Sequence, residues 1–293
     1  MKKSIVLVLL MLLCVLIYIE RNEIITSIYK IAYKDSLEYI ENDFENNYEF
    51  SYLQKTDDFT PKNKKELINV LYTLIDSETY EFVIFCENEY KNCVDDANDI
   101  LLDNVTLPAI NTYVHPYNSY KEISIGKTDY NIIIVNINKQ YTEDEIIYTE
   151  EKLNIIENEI IKPSMSNKEK ILAMHDYIIN YTRYVNSNEF AKASSLLLYR
   201  KARCSAYTDL MAIYLSRLGI PNYRIASETH IWNYVYLDNK WSHIDLTWDD
   251  PVLNNNKQVL LHDFFLIDTN KLVELNNDKH IFNRDVYIEA KEN

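Results

Sequence analysis

Hydrophobic positions divide the chain into stretches of different period. Residues 4–19 are an unbroken apolar run behind Met1-Lys2-Lys3, closed by Glu20, Arg21 and Glu23. Residues 20–58 are mixed and charged and read as a helical stalk. A helix is then predicted from Thr60-Pro61, with Leu67, Ile68, Leu71, Leu74 and Ile75 at helical spacing and proline at its first position. Residues 80–86 read as a strand and 92–104 as a helix. Residues 123–125 and 130–137 read as a hairpin around Gly126 to Asp129. Thr142-x-x-Glu145 is a capping box that opens a helix with Ile146, Leu153, Ile156 and Ile160 on one face. Residues 60–162 thus form an expected small α/β domain, bounded by Pro163 to Ser166.

A second capping box, Ser166-x-x-Glu169, starts a helix that turns Ile171, Leu172, His175, Ile178 and Ile179 inward. A histidine on an apolar helix face is more often a satisfied core residue than a catalyst, and His175 is read that way. Over 202–220, Tyr207, Leu210, Met211, Tyr214, Leu215 and Leu218 repeat at three and four; Gly219 and Pro221 mark the end. Cys204 therefore falls in the first turn, where the helix dipole and free N–H groups favour a thiolate. An inert, buried small residue fits that position equally well. Strands follow at 223–227, 230–237 and 240–246, with Asp238-Asn239 as a two-residue turn. Facing residues then have numbers that sum to 477. Asp245 lies opposite Trp232 and diagonal to His230, and His230, Trp232, Asp245 and Thr247 share one face. His243 is expected on the other face.

Composition narrows the function. The 293 residues carry 45 Asp+Glu against 30 Lys+Arg, net −15, which argues against a nucleic-acid partner. Only two glycines occur, Gly126 and Gly219, so a three-glycine dinucleotide fingerprint is excluded. Gly126-Lys127-Thr128 resembles the end of a phosphate loop, but the first glycine of that motif would fall at Lys121. The N-terminal run is short of the about 20 residues of a spanning helix. It lacks a small-x-small cleavage pattern, and Leu13 disfavours lipidation at Cys14. The expectation is an uncleaved anchor, with a cleaved signal or lipid anchor as alternatives; all three place the rest outside the cytoplasm. There, Cys86 and Cys93, seven apart, can close a small loop, which leaves Cys204 alone. With neither Cys-x-x-Cys nor His-Glu-x-x-His present, no metal and no cofactor are expected.

A cysteine at a helix start, a histidine at a strand and a neighbouring carboxylate are the parts of thiol acyl transfer. The order Cys204-Ser205-Ala206-Tyr207, Leu218-Gly219-Ile220, His230-Ile231-Trp232-Asn233, Lys240-Trp241 and Asp245-Leu246-Thr247-Trp248-Asp249-Asp250-Pro251 resembles the bacterial transglutaminase-like superfamily. The helix 170–177, the segment Phe264-Phe265-Leu266 and His280 resemble further parts of it. The chain departs at Ala206, often glycine in that family, at His243, often tyrosine, and near Asn239, where glycine is usual. The resemblance covers roughly 165–285. It implies an α+β, papain-like core with Cys204 as nucleophile, His230 as acid/base and Asp245 as orienter; His175 and Tyr177 match structural positions only. Asp249 and Asp250 are read as holding the turn rather than calcium. The expected organisation is a membrane segment (1–22), a stalk (23–59), the small α/β domain (60–162) and the transglutaminase-like domain (163–293). The expected activity is acyl transfer or amide hydrolysis on protein or peptide substrates. The alternatives are an idle module that binds cell-surface protein or cell-wall peptide, and an exported adaptor that works through 60–162.

Overall fold

The structure, a computed structural model, describes all residues except 1, 33–37, 47, 88, 128–130, 252–258, 276–277 and 292–293, and the backbone alone of 2–5, 22, 26, 30 and 127. The apolar run forms α1 (Lys2–Ile19), followed by α2 (Arg21–Ala32). The large side chains from Val6 to Ile19 stand exposed on α1. Among the described residues, no helix is long and apolar enough to cross a membrane.

The next helix, α3 (Lys64–Ile75), begins later than Pro61 suggests. Asn63 decides the start, because its side chain accepts from the Glu66 N–H and satisfies the first turn. β1 (Glu81–Phe85) and α4 (Cys93–Leu102) follow, joined by a Cys86–Cys93 disulfide. The next element, α5 (Thr106–Tyr113), is unannounced by any strong period. Asp103 holds its start by accepting from the Val105 and Thr106 N–H groups. β2 (Tyr120–Lys127) and β3 (Ile132–Lys139) pair antiparallel, and β1 adds to β3 in a sheet of order β1-β3-β2. Gly126 sits inside β2 opposite Ile134, and residues 128 and 129 of the expected turn lie outside the described residues.

Both capping boxes are present, at the starts of α6 (Glu143–Ile160) and α7 (Asn167–Tyr181). A short parallel pair, β4 (Arg183–Tyr184) and β5 (Lys201–Ala202), brackets α8 (Ala193–Tyr199). β5 then delivers the chain into α9 (Cys204–Arg217), which Gly219 ends at φ 67. The second sheet runs β6-β7-β8-β9, with β6 (Asn222–Ala226), β7 (Ile231–Leu237), β8 (Lys240–Ile244) and β9 (Phe265–Ile267). Leu237 pairs with Lys240, so the sum of 477 holds along the hairpin. Asp238 and Asn239 have φ of 52 and 61, the left-handed pair that a tight two-residue hairpin turn requires. β7 begins one residue later than expected and β8 ends two residues earlier: His230 precedes β7, and Asp245 caps α10 (Leu246–Asp249). The last helix is α11 (Thr269–Glu274).

Two apolar clusters fill the interior, and neither divides at residue 163. One joins Leu67, Leu71, Ile110 and Val135 to Tyr223, Trp232, Tyr234 and Trp241 of the second sheet. Phe50 and Leu53, from the segment expected as stalk, are buried in it, and so are Val286 and Tyr287. The other packs α6, α7 and α8 around α9 and takes in Tyr117 and Tyr141. A buried cation crosses between the two parts of the chain. Arg224 of β6, 4% exposed, donates to Asp209 Oδ1 of α9 at 2.7 Å, to Val114 O at 3.0 Å, to Ser119 Oγ at 2.9 Å and to Asn111 O. Tyr141 donates to the second Asp209 oxygen at 2.8 Å. Removing one partner of a buried pair strands the other charge, at a cost of about 3–5 kcal/mol. Asp209→Ala is therefore expected to lower unfolding free energy in urea by about that amount. A loss under ~1 kcal/mol, the scale of a surface pair, would show that Arg224 does not rely on Asp209.

Candidate active site

Local sequence places each of the three residues. The change from extended β5 to α9 occurs at Arg203, so Cys204 is the first helical residue, with first-turn N–H groups around it that no helical carbonyl can serve. Thr208, one turn on, sits 2.8 Å from Cys204 O and 2.9 Å from Ile231 O; Asn233 donates to Thr208 O at 2.9 Å. These bonds lay the start of α9 against the start of β7, where His230 stands. The hairpin then returns Asp245 to the same end of the sheet.

His230 Nε2 lies 2.5 Å from Asp245 Oδ2. Asp245 also accepts from the Thr247 and Trp248 N–H groups at 3.0 and 3.3 Å, because it is the N-cap of α10. Burial pushes its carboxyl up, but His230 and His280 overrule that and hold it down at about 2. An ionised carboxylate only accepts, so His230 carries its proton on Nε2 and leaves Nδ1 for the thiol. Burial likewise works against the charged form of His230, yet Asp245 and the Cys204 thiol raise it to about 9. Cys204, 6% exposed, is pushed up by burial and pulled down further by its hydrogen bond to His230, the His230 charge and Arg203; the net direction is down. The arrangement favours a thiolate beside an imidazolium. Trp232 stacks on the His230 ring with centroids 5.7 Å apart and fixes its plane.

Two histidines, His243 and His280, depart from the sequence expectations. His243 is not on the opposite face: it pairs with Tyr234, which shares the face of His230 and Trp232. It accepts from Trp232 Nε1 at 3.0 Å through Nδ1, so its proton sits on Nε2, 3.0 Å from Thr269 Oγ1. Burial and the nearby His280 lower it to about 3. It thus braces Trp232 as a neutral ring. His280, expected only as part of the tail, places Nε2 2.8 Å from the same Asp245 oxygen that serves His230. No local spacing announces that contact across 35 residues. His175 is buried as expected, but both its nitrogens face carboxylates, Asp176 Oδ1 at 2.9 Å and Asp249 Oδ2 at 3.1 Å. Asp249 and Asp250 do hold the turn: Asp249 accepts from the Phe264 N–H at 3.0 Å, and Asp250 takes the Tyr207 hydroxyl at 2.6 Å. Ala206 packs without exposure. Among the described residues, two groups bring three metal-ligating atoms together: His230, Asp245 and His280, already bound to one another at the Cys204 site, and His175, Asp176 and His262 outside it.

Comparison with curated proteins finds no match. Among solved structures, the chain is similar to a crystal structure described as that of a TGase, at 19% identity and a TM-score of 0.33, over 44% of this chain and 44% of that one. A provisionally named cysteine protease from Cytophaga hutchinsonii shows 14% identity and a TM-score of 0.29, over 48% of this chain and 65% of that one. A provisionally named protease from Parabacteroides distasonis shows 9% identity and a TM-score of 0.28, over 48% of this chain and 40% of that one. The chain thus spans less than two thirds of the length of each. The sequence model of the transglutaminase-like superfamily matches residues 155–246, the segment that carries Cys204, His230 and Asp245, so that part of the chain is similar to the superfamily.

Proposed function

We propose that this protein is a thiol enzyme that transfers acyl groups through a thioester at Cys204, with protein or peptide amides as substrates. The observation that carries the reading is the line from Asp245 Oδ2 through His230, 2.5 Å away, to the thiol at the head of α9. The Cys204 thiolate attacks the amide carbon, and first-turn N–H groups of α9 receive the developing oxyanion. Protonated His230 gives its Nδ1 proton to the departing amine as the C–N bond breaks. Neutral His230 then takes a proton from the incoming water or primary amine, whose oxygen or nitrogen displaces the thiolate. Asp245 keeps the imidazole in one tautomer and plane throughout. Water as acceptor gives hydrolysis; an amine gives cross-linking.

An extracytoplasmic location belongs to the same proposal. The Cys86–Cys93 disulfide suits an oxidising compartment. The exposed apolar surface of α1 suits attachment to a membrane. An 18-residue helix is ~27 Å long, a little short of the ~30 Å hydrocarbon layer, so its length alone does not carry it across. Protease added to intact cells is expected to remove residues 60–290 and leave the first residues with the membrane. Release of a soluble form lacking about two dozen residues, the length of a cleaved signal, would favour export without an anchor.

Two measurements test the chemistry. Alkylation of Cys204 by iodoacetamide is expected at a midpoint below the ordinary thiol value of about 8.5. His230→Ala should move that midpoint upward, since it removes the charge that opposes burial. An unshifted wild-type midpoint speaks against the ion pair. Mass spectrometry of glutaminyl peptides, with and without a primary amine, separates ammonia loss, amine addition and backbone cleavage. Cys204→Ala should abolish turnover, and His230→Ala should cost a similar amount. Asp245→Asn should be roughly ten- to a hundredfold milder. Full biological activity in Cys204→Ala would favour a binding module instead.

A further inference from the structure

Away from Cys204, a second group of ligating side chains gathers where α7 meets the segment leading into β9. His175 and Asp176 come from α7, and His262 lies 86 residues beyond Asp176. Asp176 Oδ1 is 2.9 Å from His175 Nδ1 and 2.7 Å from His262 Nε2. All three donor atoms lie within 4.8 Å of one another. His175 is fully buried, whereas the His262 side chain is 44% exposed, so the group opens to solvent on one side. Phe265 walls another side, its ring 5.2 Å from His175 and 6.2 Å from His262.

The far nitrogen of His175 gives the group its meaning. Nε2 is 3.1 Å from Asp249 Oδ2, and the other Asp249 oxygen is occupied by the Phe264 N–H. Nε2 is thus held from behind by a buried carboxylate, while Nδ1 faces Asp176 Oδ1 at 2.9 Å. A ring nitrogen held by a buried carboxylate while the other faces further ligands is how proteins orient metal-binding imidazoles. His262 brings a second ring nitrogen to the same oxygen.

We propose that His175 Nδ1, Asp176 Oδ1 and His262 Nε2 bind one divalent cation of the zinc class, with water in the fourth position. Two imidazoles and a carboxylate suit zinc better than calcium or magnesium, which prefer an all-oxygen shell. Metal–donor distances of about 2.0–2.1 Å place tetrahedral donors about 3.3 Å apart. Loading therefore asks Asp176 and the half-exposed His262 to open by roughly half an ångström from the spacing seen here. The ion would tie α7 to the entry of β9. Through Asp249, which ends α10, it would steady the short helix that Asp245 caps. The site is structural and takes no part in acyl transfer, so it stands or falls apart from the function proposed for Cys204.

The test uses the full chain, stripped of metal, in a Cys204→Ala background, so that the thiol is not a competing ligand. Calorimetric titration with zinc chloride is expected to show one ion per chain and a rise in Tm. Cobalt is expected to give the visible bands of a four-coordinate site. His262→Ala, at a half-exposed position, and the isosteric Asp176→Asn should each weaken binding at least 100-fold and remove the Tm rise and the bands. His230→Ala should leave the stoichiometry unchanged. Absence of stoichiometric binding overturns the proposal. So does binding that survives His262→Ala and Asp176→Asn, or that is lost in His230→Ala, because the ion would then lie among His230, Asp245 and His280.

Discussion

A guanidinium with no route to water governs how this chain is assembled. Arg224 leaves β6 into the interior and finds its acceptors on both sides: the Asp209 carboxylate on α9, and Val114, Ser119 and Asn111 from the chain before α6. An uncompensated charge in that position costs several kcal/mol, so the acceptors are obligatory. α9 must lie against β6, and the turn between α5 and β2 must lie against both. The helix that carries Cys204 is therefore clamped at its second turn by a group that belongs to neither substrate nor catalyst. The position of Cys204 follows from the docking of two parts of the chain and not from the transglutaminase-like segment alone.

Asp245 does for the site what Arg224 does for the fold. One carboxylate caps α10, accepts from His230 and accepts from His280. These duties reinforce one another, since each added donor favours the ionised form that the others need. The aromatic rings around the pair, Trp232, Trp248 and Phe264, keep water away and sharpen the attraction between opposite charges. His243 extends the order outward: with its proton on Nε2 it holds Trp232, and Trp232 holds the His230 plane.

Where structure is set by near neighbours, the sequence was a good guide. The two-residue turn at Asp238-Asn239 set the register of β7 and β8, and that register brought His230 and Asp245 together. α9 was legible from its apolar period and from Gly219 and Pro221 at its end, although it starts at Cys204 and not at residue 202. The face of His243 was equally legible, since 243 and 234 sum to 477; placing it away from His230 was an error of parity. Other features lie beyond any local pattern. Asp209 lies among the buried residues of α9, and its charge turns inward to Arg224. His280 meets Asp245 across 35 residues, and His262 meets Asp176 across 86. Phe50 and Leu53 sit in a charged stretch whose lack of period hides two fully packed side chains. Contacts of that range arise from tertiary packing, which spacing along the chain does not encode.

The first apolar cluster has a bearing on how the protein is made. Tyr113 donates its hydroxyl to Val286 O at 2.8 Å, and Tyr287 stacks on both Tyr113 and Tyr223. A ribosome working at roughly 5–20 residues per second delivers residue 287 many seconds after residue 113. Through that interval the aromatic wall around Tyr113 and Tyr223 lacks its last face. The nascent chain therefore carries an open, sticky surface until residue 287 has emerged. Such a chain has reason to engage a holding chaperone until that face is supplied.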